Sequence, residues 1–217
     1  MFGHTISTTA ALAARITAAI LIIIGIAWLS PISPADTATP AGSVVFLGDA
    51  RGHGSGVHIG NGYILTAAHV VRDETTMDVT TDTGETVKGT VLWANKAHDV
   101  AMVRAEVDAK ASHLSCREPT AGEEIVIAGN PNDQKFINAY GRVGGESREY
   151  GPWKRVFIAD ATIIPGVSGG PTFDAKGDVI GINVGVMLVQ TGISASIARL
   201  GYVVPGAVVC MLMARSA

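Results

Sequence analysis

Only two cysteines occur in the 217 residues. That excludes a small scaffold stapled by several disulfides and a metal site built from four cysteine ligands. Charge is also scarce, at 16% Asp, Glu, Lys and Arg with a net charge of -3. A chain this poor in charge and 47% hydrophobic is not disordered, because disorder needs low hydrophobicity and high net charge. No basic excess marks a nucleic-acid surface, so no nucleic-acid partner is expected. Aromatic residues make up 6%. What the chain has in excess is glycine, 26 residues, against a usual share of ~7%. Many glycines and few aromatics suit many tight turns between short strands. At roughly 100–200 residues per domain the length allows one domain or two small lobes.

The hydrophobicity is uneven. Residues 18–29 read AAILIIIGIAWL, and Ile16 extends the run across Thr17. Residues 16–29 as a helix reach ~21 Å, short of a ~30 Å hydrocarbon core, while residues 10–29 reach ~30 Å with Arg15 near one end. An uncleaved membrane anchor is expected over 1–29. A secretory signal peptide and a buried helix are the other readings, and Ser33-Pro34-Ala35 is a poor cleavage site. Arg15 precedes the run and Asp36 follows it, so the positive-inside rule puts the remainder outside the cytoplasm. Residues 30–42, with Pro31, Pro34 and Pro40, suit an extended linker.

From residue 43 onward short β-branched runs alternate with turn signals. Strands are expected over 43–47, 55–59, 63–67, 78–81, 86–94, 100–104, 124–128, 137–143, 155–162, 171–173, 179–184 and 201–204. Gly60-Asn61-Gly62 and Asp82-Thr83-Gly84 read as hairpin turns. Such spacing is that of a β-sandwich or barrel. A polar stretch, 108–122, divides the strands into two groups, and residues 206–214 lose the strand rhythm and read as a closing helix.

Three motifs carry chemistry. Leu65-Thr66-Ala67-Ala68-His69-Val70-Val71 ends a strand in small residues before a histidine. His98-Asp99-Val100-Ala101-Met102-Val103 opens a strand with a carboxylate. Pro165-Gly166-Val167-Ser168-Gly169-Gly170-Pro171 sets a serine among glycines. Acyl transfer by serine needs a nucleophile, a base and a group that orients the base. Ser168, His69 and Asp99 offer one of each. A glycine-rich turn also lets backbone N–H groups converge on one point, as an oxyanion hole requires. Taken singly, each has a plainer reading: one of six histidines, a turn-capping aspartate with Asp73 or Asp78 as rivals, and a turn of a glycine-rich β protein.

In that order and spacing the blocks resemble the trypsin-like (chymotrypsin-fold) serine proteases, within them the bacterial HtrA/Deg-like branch. Gly54-Ser55-Gly56-Val57 and the His69 motif are similar to its histidine block, the Asp99 motif to its aspartate block, and residues 166–171 with Gly177-Asp178-Val179-Ile180-Gly181-Ile182-Asn183 to its serine block. Gly201-Tyr202-Val203-Val204-Pro205 looks like the last strand before the C-terminal helix. The resemblance implies an all-β fold of two six-stranded antiparallel barrels, about 43–112 and 119–204, closed by a helix over 205–214. It implies a triad of His69, Asp99 and Ser168 in the cleft between barrels, with the N–H groups of Gly166 and Ser168 as the oxyanion hole. The implied activity is that of a serine endopeptidase acting on a protein or peptide, with no cofactor and no metal.

Departures from the family pattern sharpen these expectations. Val167 stands where digestive enzymes carry an aspartate and HtrA-like enzymes usually an asparagine. Activation by N-terminal cleavage is therefore not expected, and the oxyanion loop must be held by packing or stay imperfectly formed. No PDZ domain is expected to follow. The pocket residues implied are Thr162, Ile163, Val184 and Gly185. The absence of an acid there argues against cleavage after Lys or Arg and for a small or medium apolar side chain. Some relatives have a disulfide joining the regions of Cys116 and Cys210; two unpaired buried cysteines are the other reading. A protease-fold protein that binds peptides or a membrane partner without cleaving is the alternative function, and an esterase with the same triad a third.

Overall fold

Gly60, Asn61 and Gly62 all take positive φ, at 106°, 52° and 72°, and the chain reverses there between β2 (Gly52–His58) and β3 (Tyr63–Thr66). Tyr63 N–H donates to Gly60 O at 2.9 Å and closes the turn. In this computed structural model the described residues are 42–49, 51–132, 134–191 and 194–216. The expected anchor over 1–29 and all but the last residue of the linker lie outside them. Among the described residues no helix is long and apolar enough to cross a membrane.

The first lobe is a closed barrel. β1 (Val44–Asp49), β2, β3, β6 (Val100–Arg104), β5 (Thr86–Asn95) and β4 (Thr76–Thr80) pair in that order, and β4 returns to β1. Closure leaves no unpaired sheet edge in this ring. Val45, Leu47, Val57, Ile64, Leu65, Val79 and Val103 of this lobe are fully buried, each worth roughly 1.5–3 kcal/mol over exposure. A four-residue helix, α1 (Ala68–Val71), follows β3. The sequence suggested a strand running to residue 67. The small pair Ala67-Ala68 instead lets the chain turn directly into a helix whose Ala68, Val70 and Val71 are buried.

The second lobe is an antiparallel sheet ordered β13 (Ser194–Pro205), β12 (Val179–Thr191), β11 (Pro171–Asp174), β7 (Glu124–Gly129), β8 (Ile137–Val143), β10 (Trp153–Asp160) and β9 (Arg148–Tyr150). β13 also pairs with β10, Phe157 opposite Val203. Six of the strands therefore follow one another round a ring, and β9 is a seventh, paired to β10 alone. Phe157, Phe173, Ile180 and Ile182 are fully buried here. β12 and β13 run well beyond the expected 179–184 and 201–204. Their pairing continues through Leu188 with Ile197 to Thr191 with Ser194, a two-stranded ribbon on which Leu188 is 61% exposed.

The polar stretch runs over the second lobe, where Ser115 N–H donates to Val179 O at 2.9 Å and Val179 N–H to His113 O at 2.8 Å. It meets α2 (Gly206–Ser216). Cys116 and Cys210 are joined by a disulfide, with Cα atoms 5.6 Å apart. Beside it Arg117 donates to Glu123 at 2.9 Å and to Asp174 at 3.0 Å.

Candidate active site

His69 is the second residue of α1. The first N–H groups of a helix have no partner within it, and the backbone N–H of His69 donates to Asp99 Oδ1 at 2.9 Å. Asp99 sits in the turn between β5 and β6 in the left-handed region, φ 56°, a conformation aspartate tolerates better than most residues. Asn95 organises that turn, its Oδ1 accepting from His98 N–H at 3.0 Å. The second carboxylate oxygen, Asp99 Oδ2, lies 2.7 Å from His69 Nδ1. Asp99 is 8% exposed, so its charge needs these partners. With the carboxylate ionised, Nδ1 carries the proton and the lone pair is on Nε2. Among the described residues Nε2 makes no hydrogen bond. The imidazole, 47% exposed, is thus oriented on one side and free on the other.

Ser168 lies in the loop between β10 and β11, clamped against the first lobe. Its carbonyl accepts from Ser55 N–H of β2 at 2.8 Å. Gly169, at φ 82°, packs so tightly that a Cβ would collide with Thr66 Oγ1 and Ser55 O and stand 2.9 Å from Ala67 N; only glycine fits. Gly169 N–H donates to Asn183 O at 2.7 Å. The serine loop is thereby pressed onto the strand-to-helix junction that carries His69. Ser168 Oγ makes no hydrogen bond among the described residues, so its bond to His69 Nε2 is not formed in this structure.

The N–H groups of Gly166 and Ser168 also donate to nothing among the described residues, which leaves both available to an oxyanion. The loop between them is fixed by its carbonyls. Gly166 O accepts from Ser55 Oγ at 2.7 Å and Pro165 O from Asn132 N–H at 3.0 Å. Ser55 Oγ in turn accepts from Asn130 N–H at 2.9 Å and Asn130 Nδ2 at 3.0 Å. Val167 is buried in the second lobe's core. The loop therefore rests on apolar packing below and on a serine hydroxyl from the other lobe above.

A cavity of about 380 Å³ opens beside the imidazole, lined by Ala68, His69, Lys96, Asp99, Pro152, Trp153 and Val184. Of the four pocket residues read from sequence, Val184 lines it. Gly185 lies just behind, under the indole of Trp153. Ile163 is buried in the core against Gly201, and Thr162 is exposed; neither lines this cavity. Sequence reasoning missed Trp153, whose Nε1 donates to Asp99 Oδ2 at 3.2 Å, and Asn130. Neither stands in a motif. Ser55 stands in the histidine block, where nothing in the sequence marks its role.

Residues 54–182 match the family described as Trypsin-like peptidase domain. The chain is 36% identical over 166 residues to HhoB of Synechocystis sp., named as a serine protease, covering 71% of this chain and 38% of that protein. It is 28% identical over 162 residues to a Rhizobium meliloti protein named "Probable periplasmic serine endoprotease DegP-like", covering 69% and 32%. The chain thus spans well under half the length of these relatives. The solved structure of the Rv3671c protease in its inactive form superimposes with a TM-score of 0.70 at 25% identity, covering 85% of this chain and 93% of that one.

Proposed function

Because the chain belongs to the trypsin-like peptidase family, with HtrA/Deg-like serine proteases among its relatives, we propose that it is a serine endopeptidase working through His69, Asp99 and Ser168. The observation that carries this reading is the 2.7 Å pair between His69 Nδ1 and Asp99 Oδ2, which leaves Nε2 to act as the base. In the reaction Ser168 Oγ attacks the scissile carbonyl carbon while its proton passes to His69 Nε2. The N–H groups of Gly166 and Ser168 receive the oxyanion. His69 then protonates the leaving amine, and water, activated by the same nitrogen, releases the acyl group. Catalytic hydrogen bonds are often open in unliganded enzymes, which is how the unmade bond between Ser168 and His69 is read. The apolar wall that Val184 gives the cavity supports a small or medium apolar residue in the substrate.

Its place is outside the cytoplasm, held to the membrane through residues 10–29. Two facts support that location: one relative is named periplasmic, and the Cys116–Cys210 disulfide belongs to an oxidising compartment. The test is Ser168→Ala, which is expected to cost on the order of 10⁶ in turnover of unfolded casein. Cleavage at the parent rate would sink the assignment.

One observation favours a second reading, a protease-fold protein that binds peptides or a membrane partner without cleaving: Ser168 Oγ and His69 Nε2 are not bonded to each other. A fluorophosphonate probe separates the two, since a working triad is labelled at Ser168 and a binder is not.

A further inference from the structure

A carboxylate that orients an imidazole must itself be held, and from more than one side. Asp99 receives three hydrogen bonds among the described residues. Two come from His69, through its backbone N–H and Nδ1, and both of those groups sit in the first lobe. The third comes from the indole Nε1 of Trp153 at 3.2 Å, and Trp153 opens β10 of the second lobe. The next residue makes a second link to the same turn, Lys154 N–H donating to Ala97 O at 3.4 Å.

The indole is itself held in place. Gly185 presents no side chain, and a Cβ there would stand 2.6 Å from Trp153 Cη2 and 3.0 Å from Cζ2. The ring also meets Tyr202, the cross-strand neighbour of Gly185, at 5.2 Å, and Tyr202 stacks on Tyr150 of β9 at 4.6 Å. Val184, the neighbouring wall of the cavity, has no hydroxyl to offer Asp99. The second lobe's only side-chain donor to the carboxylate, among the described residues, is therefore this indole.

We propose that Trp153 is a positioning residue whose indole N–H fixes Asp99 Oδ2 from the second lobe, so that the pairing of His69 with Asp99 depends on the docking of β9 and β10 against the turn that carries Asp99. The proposal rests on the triad reading above and adds to it a link between the acid–base pair and the lobe that carries Ser168.

The experiment is proton NMR of the His69 Nδ1–H in the whole chain and in Trp153→Phe, with casein kinetics alongside. Phenylalanine keeps a ring on Tyr202 and Gly185 but removes the donor. A carboxylate with one donor fewer keeps more of its charge for the N–H that remains, so the Nδ1 proton signal is expected to move downfield. Turnover is expected to fall about tenfold, the scale of one hydrogen bond to a charged group, with KM little changed. Gly185→Ala, which crowds the indole, is expected to move the same signal with Trp153 intact, and serves if the phenylalanine variant does not fold. A signal unmoved in both variants overturns the proposal; a purely structural role would lower Tm without moving that signal. The spectrum needs no turnover, so a parent chain that neither cleaves casein nor takes the fluorophosphonate would refute the peptidase reading and still leave the Trp153 comparison decisive.

Discussion

Ser55 is the residue on which the serine loop hangs. Fully buried, its hydroxyl donates to Gly166 O and accepts two N–H groups of Asn130. The peptide whose oxygen it holds lies between the two N–H groups assigned to the oxyanion. Alanine at this position leaves a buried carbonyl and two buried N–H groups each short of a partner, at ~1–3 kcal/mol per group left unsatisfied. Ser55→Ala is expected to lower Tm by at least about 6 °C in a fold of this size, read by calorimetry. Turnover is expected to fall more than KM rises, because the loss lies in aiming donors at a charge that appears only in the transition state. An unchanged turnover at temperatures where the variant is folded would detach Ser55 from the oxyanion loop. His69, Asp99 and Ser168 stand out in the sequence because each lies in a block whose neighbours obey local rules: small residues after a strand, an aspartate before one, glycines around a serine. Asn130 and Trp153 were not, because their work is done across the lobe interface. A lone tryptophan in sequence reads as core or surface until a carboxylate is found 3.2 Å from its Nε1. Ile163 stays out of the cavity beside His69 for a related reason. Which side of a strand end faces a pocket depends on what packs behind it, and Gly201, 38 positions on, leaves the space that Ile163 fills.

Among the elements, strands bounded by strong turns were readable to within three residues, because β-branched runs and glycine turns are local signals. β9 was not. At three residues, all exposed, it has no apolar face to leave a period in the sequence, and it exists through its pairing to β10. The extensions of β12 and β13 escaped for a similar reason, since two strands that pair mainly with each other need no buried side to continue. α2 is the element whose attachment is covalent. The disulfide closes a segment of 94 residues that contains most of the second lobe. Cross-linking so long a segment restricts the unfolded chain, and removal of such a bridge costs about 2–5 kcal/mol. Thermal unfolding with and without a strong reductant is expected to differ by roughly 5–15 °C. A Cys116→Ser, Cys210→Ser double variant is expected to match the reduced parent. Equal melting temperatures in oxidised and reduced protein would mean that packing of Val208, Val209 and Leu212, all buried, holds α2 unaided.

For the molecule as a whole, acid is the condition to which its charge arrangement is most exposed. Burial lowers the pKa of His98 below its ordinary 6.5, and the positive charges of Lys154 and Arg215 lower it further. His98 lies next to Asp99 in the turn that Trp153 and Lys154 touch from the other lobe. Its folded-state pKa is the lower one, so the unfolded chain takes up a proton first as pH falls. The associated stability is complete above about 6.5 and is lost as pH drops through the folded value. Glu123 follows the same sign at lower pH: its hydrogen bond from Arg117 holds its pKa below the ordinary 4.5, so that contribution is whole above 4.5 and disappears as pH falls through the folded value. The two losses come in sequence, first at the interface between lobes and then at the anchorage of α2. Tm measured from pH 8 to pH 3 is therefore expected to fall in two stages rather than one. His98→Gln is expected to remove the upper stage and leave the lower. A Tm that stays level between pH 7 and pH 5 in the parent, or an upper stage that persists in the glutamine variant, would show that protonation of His98 is not what loosens the turn.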